Sequence, residues 1–154
     1  MPLSPLETKK QLLAEALRIQ KQTVETARKA MQEAQESAND NEDDTEEKLF
    51  NSYREEMQNK RDLFAKQLEQ AIDDLAMLSK VNVQDPHTVA EFGSVVITDQ
   101  QKLFVATSLG QLKLESDTFF AISPSAPIYK AFMGMKAGSS FTFRDKSIKI
   151  LEVY

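Results

Sequence analysis

Glycine and proline, the residues that most often interrupt helices, are almost missing from the first half of this 154-residue chain. The first glycine is Gly93, and no proline lies between Pro5 and Pro86. So long a stretch without either residue is typical of unbroken helices. After residue 91 both residues recur and apolar residues alternate over short runs, which is typical of strands. The sequence therefore predicts a helical region over 1–80, a linker over 81–91 and a sheet region over 92–154, an α+β fold.

The first predicted helix begins with a cap and continues with an apolar seam. Ser4 stands at the N-cap position, Pro5 at the first helical position and Glu7 three residues after the serine, which is a capping box. The seam has steps of three and four residues, with the polar Gln20 as one of its positions, and such a seam packs against one other helix. Its apolar members are Leu6, Leu13, Leu17, Val24, Ala27, Met31 and Ala34.

A second helix of similar length carries a second seam, which needs one extra residue near Arg61 to stay in register. Its members are Phe50, Tyr53, Met57, Phe64, Leu68, Ala71, Leu75 and Leu78. Two helices of equal length with a short connection predict a long antiparallel hairpin, a coiled coil. The turn falls in residues 37–48, which hold six carboxylates and only one base, Lys48. From the residues alone, this acidic turn is either solvated surface or a set of oxygen ligands for a divalent cation.

The second region contains short strand candidates and one short helix. The candidate strands are residues 93–97, 102–106, 119–122, 140–143 and 147–153. The first two are expected to pair across residues 98–101. A helix is expected over 128–133, ending before Gly134. The sequence thus predicts a small antiparallel sheet that packs on a short helix.

The charge of the chain is uneven, and its composition excludes several classes of function. Residues 1–80 hold 12 Lys or Arg and 17 Asp or Glu, whereas residues 81–154 hold seven of each. An acidic chain is a poor candidate for strong independent binding to DNA. There is no cysteine for a disulfide or a thiolate site, and no apolar run long enough for a signal core or a membrane span, so we expect a cytoplasmic protein with no membrane partner. No nucleophile–base motif, phosphate loop or dinucleotide fingerprint is found, so we expect no intrinsic enzyme activity.

Two stretches of the second region resemble the Gre family of bacterial transcript-cleavage elongation factors. They are F-G-S-V-V at 92–96 and I-S-P-S-A-P-I-Y-K-A-F-M-G-M-K-A-G at 122–138. The order of parts is also similar, since Gre factors have a long helical hairpin followed by an FKBP-like sheet domain. Three positions depart from the family pattern: Ala126, Phe132 and Met135 stand where the family has Ser, Leu and Lys.

The resemblance implies a partner and an activity. A Gre factor docks its sheet domain on bacterial RNA polymerase at the mouth of the secondary channel and inserts its hairpin. It thereby stimulates the polymerase's own cleavage of backtracked RNA and contacts the nascent RNA only indirectly. The resemblance assigns partner binding to Ser123, Ser125, Pro127, Ile128 and Lys130. Family members carry an acidic residue where Ser125 stands.

The resemblance also gives the acidic turn a role. It implies that Asp40, Glu42, Asp43 and Asp44 are the carboxylates that assist the polymerase in catalysis. Asp40 with Asp43, or Asp43 with Glu46, has the three-residue spacing of the family pattern. Asp40 and Asp43 are taken as the ligands of a Mg²⁺ shared with the polymerase, and the protein would have no cofactor of its own. Mg²⁺ keeps several waters and takes one or two carboxylates, and two metals together stabilise the attacking and leaving oxygens.

The sequence of the turn leaves alternatives open. The family reads Asp-Leu-Ser-Glu-Asn-Ala-Glu-Tyr at its tip, whereas residues 40–47 read D-N-E-D-D-T-E-E. A Gre-like regulator that binds polymerase without cleavage is therefore a second hypothesis. A coiled-coil adaptor or dimeriser unrelated to polymerase is a third, and the 122–138 motif argues against it.

Overall fold

The computed structural model describes residues 3–39, 47–115 and 117–154. Two long helices come first, α1 over Pro5–Asn39 and α2 over Glu47–Leu78. The remaining elements follow in the order β1 (Val95–Thr98), β2 (Lys102–Val105), β3 (Gly110–Leu114), β4 (Asp117–Ile122), α3 (Pro127–Phe132), β5 (Ser140–Phe143) and β6 (Lys146–Val153). The predicted fold class, a long helical hairpin followed by a sheet with a short helix, is confirmed.

The chain divides into two compact units, and neither boundary between them falls in the predicted linker. One unit consists of Met1–Ile19 with Ala76–Tyr154, and the other of Gln20–Leu75. The first unit thus contains the base of the hairpin together with the whole sheet, because the base shares a hydrophobic core with it. The predicted division into 1–80, 81–91 and 92–154 describes the change of sequence pattern, and as a division into domains it stays a prediction.

The start of α1 follows the capping pattern of its sequence. The backbone N–H of Glu7 donates to the hydroxyl oxygen of Ser4 at 3.2 Å, and the N–H of Thr8 donates to the carbonyl of Ser4 at 2.9 Å. Pro5 occupies the first helical position, where its missing N–H costs no hydrogen bond. The predicted N-cap at Ser4 is confirmed.

In the unit over residues 20–75, the two helices pack along the predicted seam. Val24, Ala27 and Ala34 of α1 are buried. The side-chain amide of Gln20 is also buried, and it donates to the carbonyl of Ala71 across the helix pair at 2.9 Å. This bond joins the middle of α1 to the later part of α2, which is consistent with an antiparallel hairpin. A polar seam position therefore carries a specific contact that fixes the register of the helices.

Two variants of Gln20 test whether this contact stabilises the hairpin. Gln20→Ala removes the hydrogen bond and leaves a gap, so we expect the free energy of unfolding to fall by about 1–2 kcal/mol. Gln20→Leu fills most of the gap, and the carbonyl of Ala71 keeps its helical partner, so we expect a change below about 1 kcal/mol. Urea unfolding followed by circular dichroism measures both. An alanine variant as stable as the wild type would show that the contact contributes nothing.

The sheet has six strands in the order β3-β4-β2-β1-β6-β5. The predicted pairing of β1 with β2 is confirmed, with Val95 opposite Phe104. All neighbours are antiparallel except β2 and β4, which are parallel, with Leu103 opposite Phe120. Strand β3, which pairs with β4 along its whole length, was not among the predicted strands. Because of the parallel pair, the segments that follow β2 and β4 leave the sheet at the same end.

The sheet is covered on both faces. One face packs against the base of the hairpin, where Leu12 and Ala16 of α1 and Leu78 of α2 join Phe104 and Leu112 in one core. The other face packs against α3, where Phe132 joins a second core. The further buried members of the second core are Ala90, Val96, Leu103, Val105, Phe141, Ile148 and Ile150. Alternate residues of the strands thus serve opposite cores, which explains their apolar pattern.

Two residues that were predicted to lie in the apolar seam are exposed, and two residues that are buried were not predicted. Leu6 is 41% exposed and Tyr53 is 38% exposed, so neither is a seam position. Leu12 and Ala16 are fully buried although they lie outside the heptad pattern. The reason is that the base of α1 meets the sheet as well as α2, and therefore needs a second apolar face.

Polar contacts hold the predicted linker in place, and one of them joins it to α1. The ammonium group of Lys9 on α1 donates to the carbonyl of Asp85 at 3.0 Å. Burial lowers the pKa of Lys9, while Asp85 and Glu91 act in the opposite direction. The Nδ1 atom of His87 lies 2.6 Å from a carboxylate oxygen of Glu91.

Within the part of the chain that the structure describes, no helix is long and apolar enough to cross a membrane.

Candidate partner interface

The loop between β4 and α3 is held in a compact turn by its own serines. The backbone N–H of Ser125 donates to the hydroxyl oxygen of Ser123 at 3.0 Å, and the two hydroxyl oxygens lie 2.5 Å apart. The N–H of Ala126 donates to the carbonyl of Ser123 at 3.0 Å. Such a serine turn uses the side chain to replace a backbone partner. The loop therefore presents a fixed shape before any partner binds.

Helix α3 begins directly after this serine turn and exposes one of its faces to solvent. Pro127 is at the start of the helix, with Ala126 in an extended conformation before it. Pro127 and Lys130, three residues apart and therefore on the same side of the helix, are both exposed. Met133, the C-cap residue directly after the helix, is 58% exposed. The outer face of α3 and the residue after it therefore present apolar surface together with one positive charge.

The inner face of α3 is anchored by aromatic side chains. Phe132 is fully buried, with its ring centroid 5.6 Å from Tyr129 in an edge-to-face contact and 5.2 Å from Phe141 on β5. Such pairs contribute about 0.5–1.5 kcal/mol beyond the area they bury. The position of α3 on the sheet is therefore fixed by packing.

The segment after α3 is also fixed. Gly134 has a positive φ of 76°, a conformation that glycine adopts without strain. Its N–H donates to the carbonyl of Ala90 at 2.8 Å, and the N–H of Ala90 donates to the carbonyl of Met135 at 2.9 Å. These two hydrogen bonds connect the segment after α3 to Ala90 in the predicted linker. Gly134, the first glycine of the 122–138 motif, thus supplies a positive φ and a backbone hydrogen bond.

The structure brings the five predicted partner-binding residues together on one loop and one helix. Ser125, Pro127 and Lys130 are exposed, whereas Ser123 and Ile128 are half-buried. Ile128 packs against the α3-side core, so it has a structural role whether or not it contacts a partner. Met133 was not among the predicted partner-binding residues; in the sequence its position beside Gly134 was compatible with a core residue and equally with an exposed contact residue. The binding role of the five residues stays a prediction.

The predicted catalytic and metal-binding residues lie outside the described part of the chain. Asp40, Glu42, Asp43 and Asp44 belong to residues 40–46, between the end of α1 at Asn39 and the start of α2 at Glu47. Over residues 3–39, 47–115 and 117–154, no group of three or more acidic or histidine side chains is placed to hold a metal ion. The assignments of Asp40 and Asp43 to Mg²⁺ stay predictions.

A cavity of about 260 Å³ lies beside the base of α1. Two of its charged side chains pair with each other, since the ammonium group of Lys102 lies 2.8 Å from a carboxylate oxygen of Asp117. Burial raises the pKa of Tyr154, although a hydrogen bond to the side chain of Thr8 acts in the opposite direction. Lys102, Asp117 and Tyr154 thus have partners within the protein, so none of the three marks the cavity as a binding site.

Comparisons with known proteins give one distant likeness. No protein-family model matches the sequence, and no curated protein sequence matches it. Among solved structures, one match is the transcription factor Gfh1, with 19% sequence identity over 92% of this chain and 90% of Gfh1. The TM-score of the superposition is 0.33.

Proposed function

We propose that the protein is a Gre-like transcription elongation factor that binds bacterial RNA polymerase and stimulates its cleavage of backtracked RNA. The observation that carries the proposal is the β4–α3 segment. There the residues that resemble the Gre motif form an exposed surface on a rigid support, with Pro127 and Lys130 outside and Phe132 inside. A loop held by its own hydrogen bonds loses little conformational freedom on binding, which favours affinity.

The hairpin supplies the second part of the proposal. Helix α1 has 35 residues and α2 has 32. Residues 20–39, the part of α1 outside the unit that contains the sheet, are about 30 Å long at 1.5 Å per residue, and in the proposal this part of the hairpin enters the channel. Residues 40–46, which join the two helices, contain five carboxylates. In the proposed complex, carboxylates of this segment hold a Mg²⁺ that the polymerase also binds, and the protein needs no active site of its own.

The chemistry in that complex belongs to the polymerase and its metals. Two metal ions would supply the stabilisation of the attacking and leaving oxygens during hydrolysis of the RNA, and residues of this chain would hold one of them together with the polymerase. The contribution of this chain is limited to presenting carboxylate oxygens, in the proposal those of Asp40 and Asp43. An isolated acidic segment binds Mg²⁺ poorly, because the ion gives up its waters reluctantly. We therefore expect metal binding only in the presence of polymerase.

A second candidate function is a polymerase-binding regulator without cleavage activity. The observation that favours it is the sequence of residues 40–47, which lacks the Leu-Ser and Asn-Ala-Glu-Tyr of the family pattern. Binding without cleavage by the wild-type protein would support this second function. A coiled-coil adaptor unrelated to polymerase remains the third hypothesis, and the absence of any polymerase binding would support that one.

The docking surface is tested on immobilised core RNA polymerase. We expect Lys130→Glu combined with Met133→Asp to weaken binding at least tenfold, because Lys130 is exposed on α3 and Met133 is exposed directly after it. The free energy of unfolding should change by no more than about 0.5 kcal/mol, since neither side chain lies in the core. Biolayer interferometry and urea unfolding measure the two quantities. Ile128→Asp is a poorer probe, since Ile128 also packs against the core.

The matched control is Lys113→Glu, which reverses an exposed charge on β3, at the opposite edge of the sheet from β5. It should leave the affinity for polymerase unchanged. If the control weakens binding as much as the α3 variant, the effect is one of net charge and α3 is not the docking surface.

A further inference from the structure

Lys9 is a buried cation that neither the hairpin seam nor the proposed docking surface uses. It lies near the start of α1, and only 2% of its surface is exposed. Its ammonium group donates to the carbonyl oxygen of Asp85, a neutral acceptor, at 3.0 Å. An ammonium group has three N–H donors, and a buried charge is costly unless an opposite charge pairs with it. An anionic acceptor beside Lys9 would therefore stabilise it.

Two acidic side chains act on Lys9 from a distance, but neither pairs with it. Burial lowers the pKa of Lys9, and the carboxylates of Asp85 and Glu91 act against this without cancelling it. Among residues 3–39, 47–115 and 117–154, no carboxylate is within ion-pair distance of the Lys9 ammonium group. Both acidic residues are exposed, so water and salt screen their charges. The described part of the chain thus leaves the charge of Lys9 without a direct counter-charge.

A cleft of about 360 Å³ lies beside Lys9, formed by the start of α1, the turn after α2 and the residue after β6. Its polar lining consists of Lys9, Gln84 and Asp85, and its apolar lining of Pro5, Leu6, Val83, Pro86 and Tyr154. Sites for small molecules are typically clefts of about 300–1,000 Å³ with mostly apolar walls and a few polar groups. The cleft therefore has the size and the lining of a site for a small amphiphilic ligand.

Hydrogen bonds fix two walls of the cleft. In the turn after α2, the N–H of Gln84 donates to the side-chain oxygen of Asn82 at 3.0 Å, and the N–H of Asp85 donates to the carbonyl of Asn82 at 3.2 Å. The backbone of Tyr154 exchanges two hydrogen bonds with Val95, at 2.7 and 3.0 Å. A ligand that enters walls already held in place loses less free energy to ordering the protein, which favours affinity.

We propose that this cleft binds a small organic monocarboxylate. The carboxylate of the ligand accepts hydrogen bonds from the ammonium group of Lys9, and its apolar body packs against Leu6, Val83 and Tyr154. A hydrogen bond between two charged groups is stronger than one between neutral groups, and more so away from water. The exposed carboxylate of Asp85 opposes an anion, but the buried ammonium group acts where screening is weaker. The proposal goes beyond the proposed function and does not depend on it.

The charge of the ligand is tested with three probes that share one apolar chain: hexanoate, hexanamide and hexylamine. Nuclear magnetic resonance titration of the isotope-labelled full chain up to about 20 mM probe covers the dissociation constant expected for hexanoate, on the order of 10⁻³ M for so small a ligand. We expect hexanoate to bind at least fivefold more tightly than hexanamide, and hexylamine to bind more weakly than both. The largest amide shifts should fall at Leu6, Gln84 and Tyr154.

Three results of this titration would overturn the proposal. The first is a smaller preference for hexanoate, including no binding at all. The second is tighter binding of hexylamine, which would show that the carboxylate of Asp85 governs the cleft. The third is a set of amide shifts centred outside the cleft.

The role of Lys9 is tested by Lys9→Met, with Lys10→Met as its matched control. Methionine keeps the apolar stem and removes the charge, and an apolar replacement for a buried charge is often neutral for stability. Lys10 is exposed and is not among the residues that line the cleft. We expect Lys9→Met to abolish the preference for hexanoate over hexanamide and Lys10→Met to leave it within twofold of the wild type. A folded Lys9→Met variant, as judged by circular dichroism, that keeps the preference would overturn the proposal. The three probes on the wild-type protein decide it without any variant.

Discussion

Phe132→Ala is expected to lower the free energy of unfolding by about 3–5 kcal/mol, the largest effect on stability of any substitution considered for this chain. The side chain is fully buried, and its ring contacts Tyr129 and Phe141. Removing it loses the transfer free energy of the ring and leaves a cavity in the core between α3 and the sheet. Phe132→Leu, which restores the residue found in the Gre family, should recover part of this loss. Urea unfolding followed by circular dichroism measures the three proteins.

The matched control for this prediction is the next residue. Met133→Ala removes a side chain that is 58% exposed, so the free energy of unfolding should change by no more than about 0.5 kcal/mol. Comparing the two variants separates the buried side chain that holds α3 on the sheet from the exposed side chain that is free to contact a partner. If Phe132→Ala costs less than about 1 kcal/mol, the helix is not held by its aromatic contacts and the docking surface is not pre-formed.

The outline of the fold could be predicted from the sequence because helix and strand patterns are local. Ser4 and Glu7 marked the start of α1 correctly, and the absence of glycine and proline marked its continuation. Val24, Ala27 and Ala34 are buried as the heptad pattern indicated. Each of these signals depends on residues within one or two helical turns, so no knowledge of the rest of the chain was needed.

The errors concern contacts between distant parts of the chain. Leu12 and Ala16 are buried because the base of α1 lies on the sheet, and no periodicity in α1 alone contains that information. Strand β3 pairs with β4, and its Leu112 and Leu114 are buried in the core that the sheet shares with the base of the hairpin, so their short alternation alone was too weak a signal. The parallel pairing of β2 with β4 is likewise a property of the topology.

The candidate partner surface was predictable in position but not in detail. The sequence pointed to residues 123–130, and the structure shows that they form one continuous loop and helix. Which side chains face outward depends on how α3 lies on β5, and that is decided by the Phe132 and Phe141 contact. Ile128 was therefore expected as a contact residue although it packs against the core, and the exposed Met133 was left out.

Asp40→Asn combined with Asp43→Asn is expected to reduce cleavage of backtracked RNA at least 100-fold while binding to polymerase is retained. The physical reason is that an amide oxygen is neutral and a much weaker ligand for Mg²⁺ than a carboxylate, so the shared metal is lost. The substitutions keep the size of the side chains, and we expect the free energy of unfolding to change by no more than about 0.5 kcal/mol. The assay is cleavage of end-labelled RNA in a stalled elongation complex, with binding measured in parallel.

The control removes the same number of carboxylates elsewhere on the hairpin. Glu69 and Asp73 are exposed on α2, and Glu69→Gln combined with Asp73→Asn gives the same change in net charge. This variant should stimulate cleavage as well as the wild type does, because neither residue belongs to the segment that joins the helices. Equal loss in both double variants would mean that net charge, and not a metal ligand set, governs the activity. A wild-type protein that binds polymerase without stimulating cleavage would instead support the non-cleaving regulator, and the carboxylates of residues 40–46 would then act by occupying the channel.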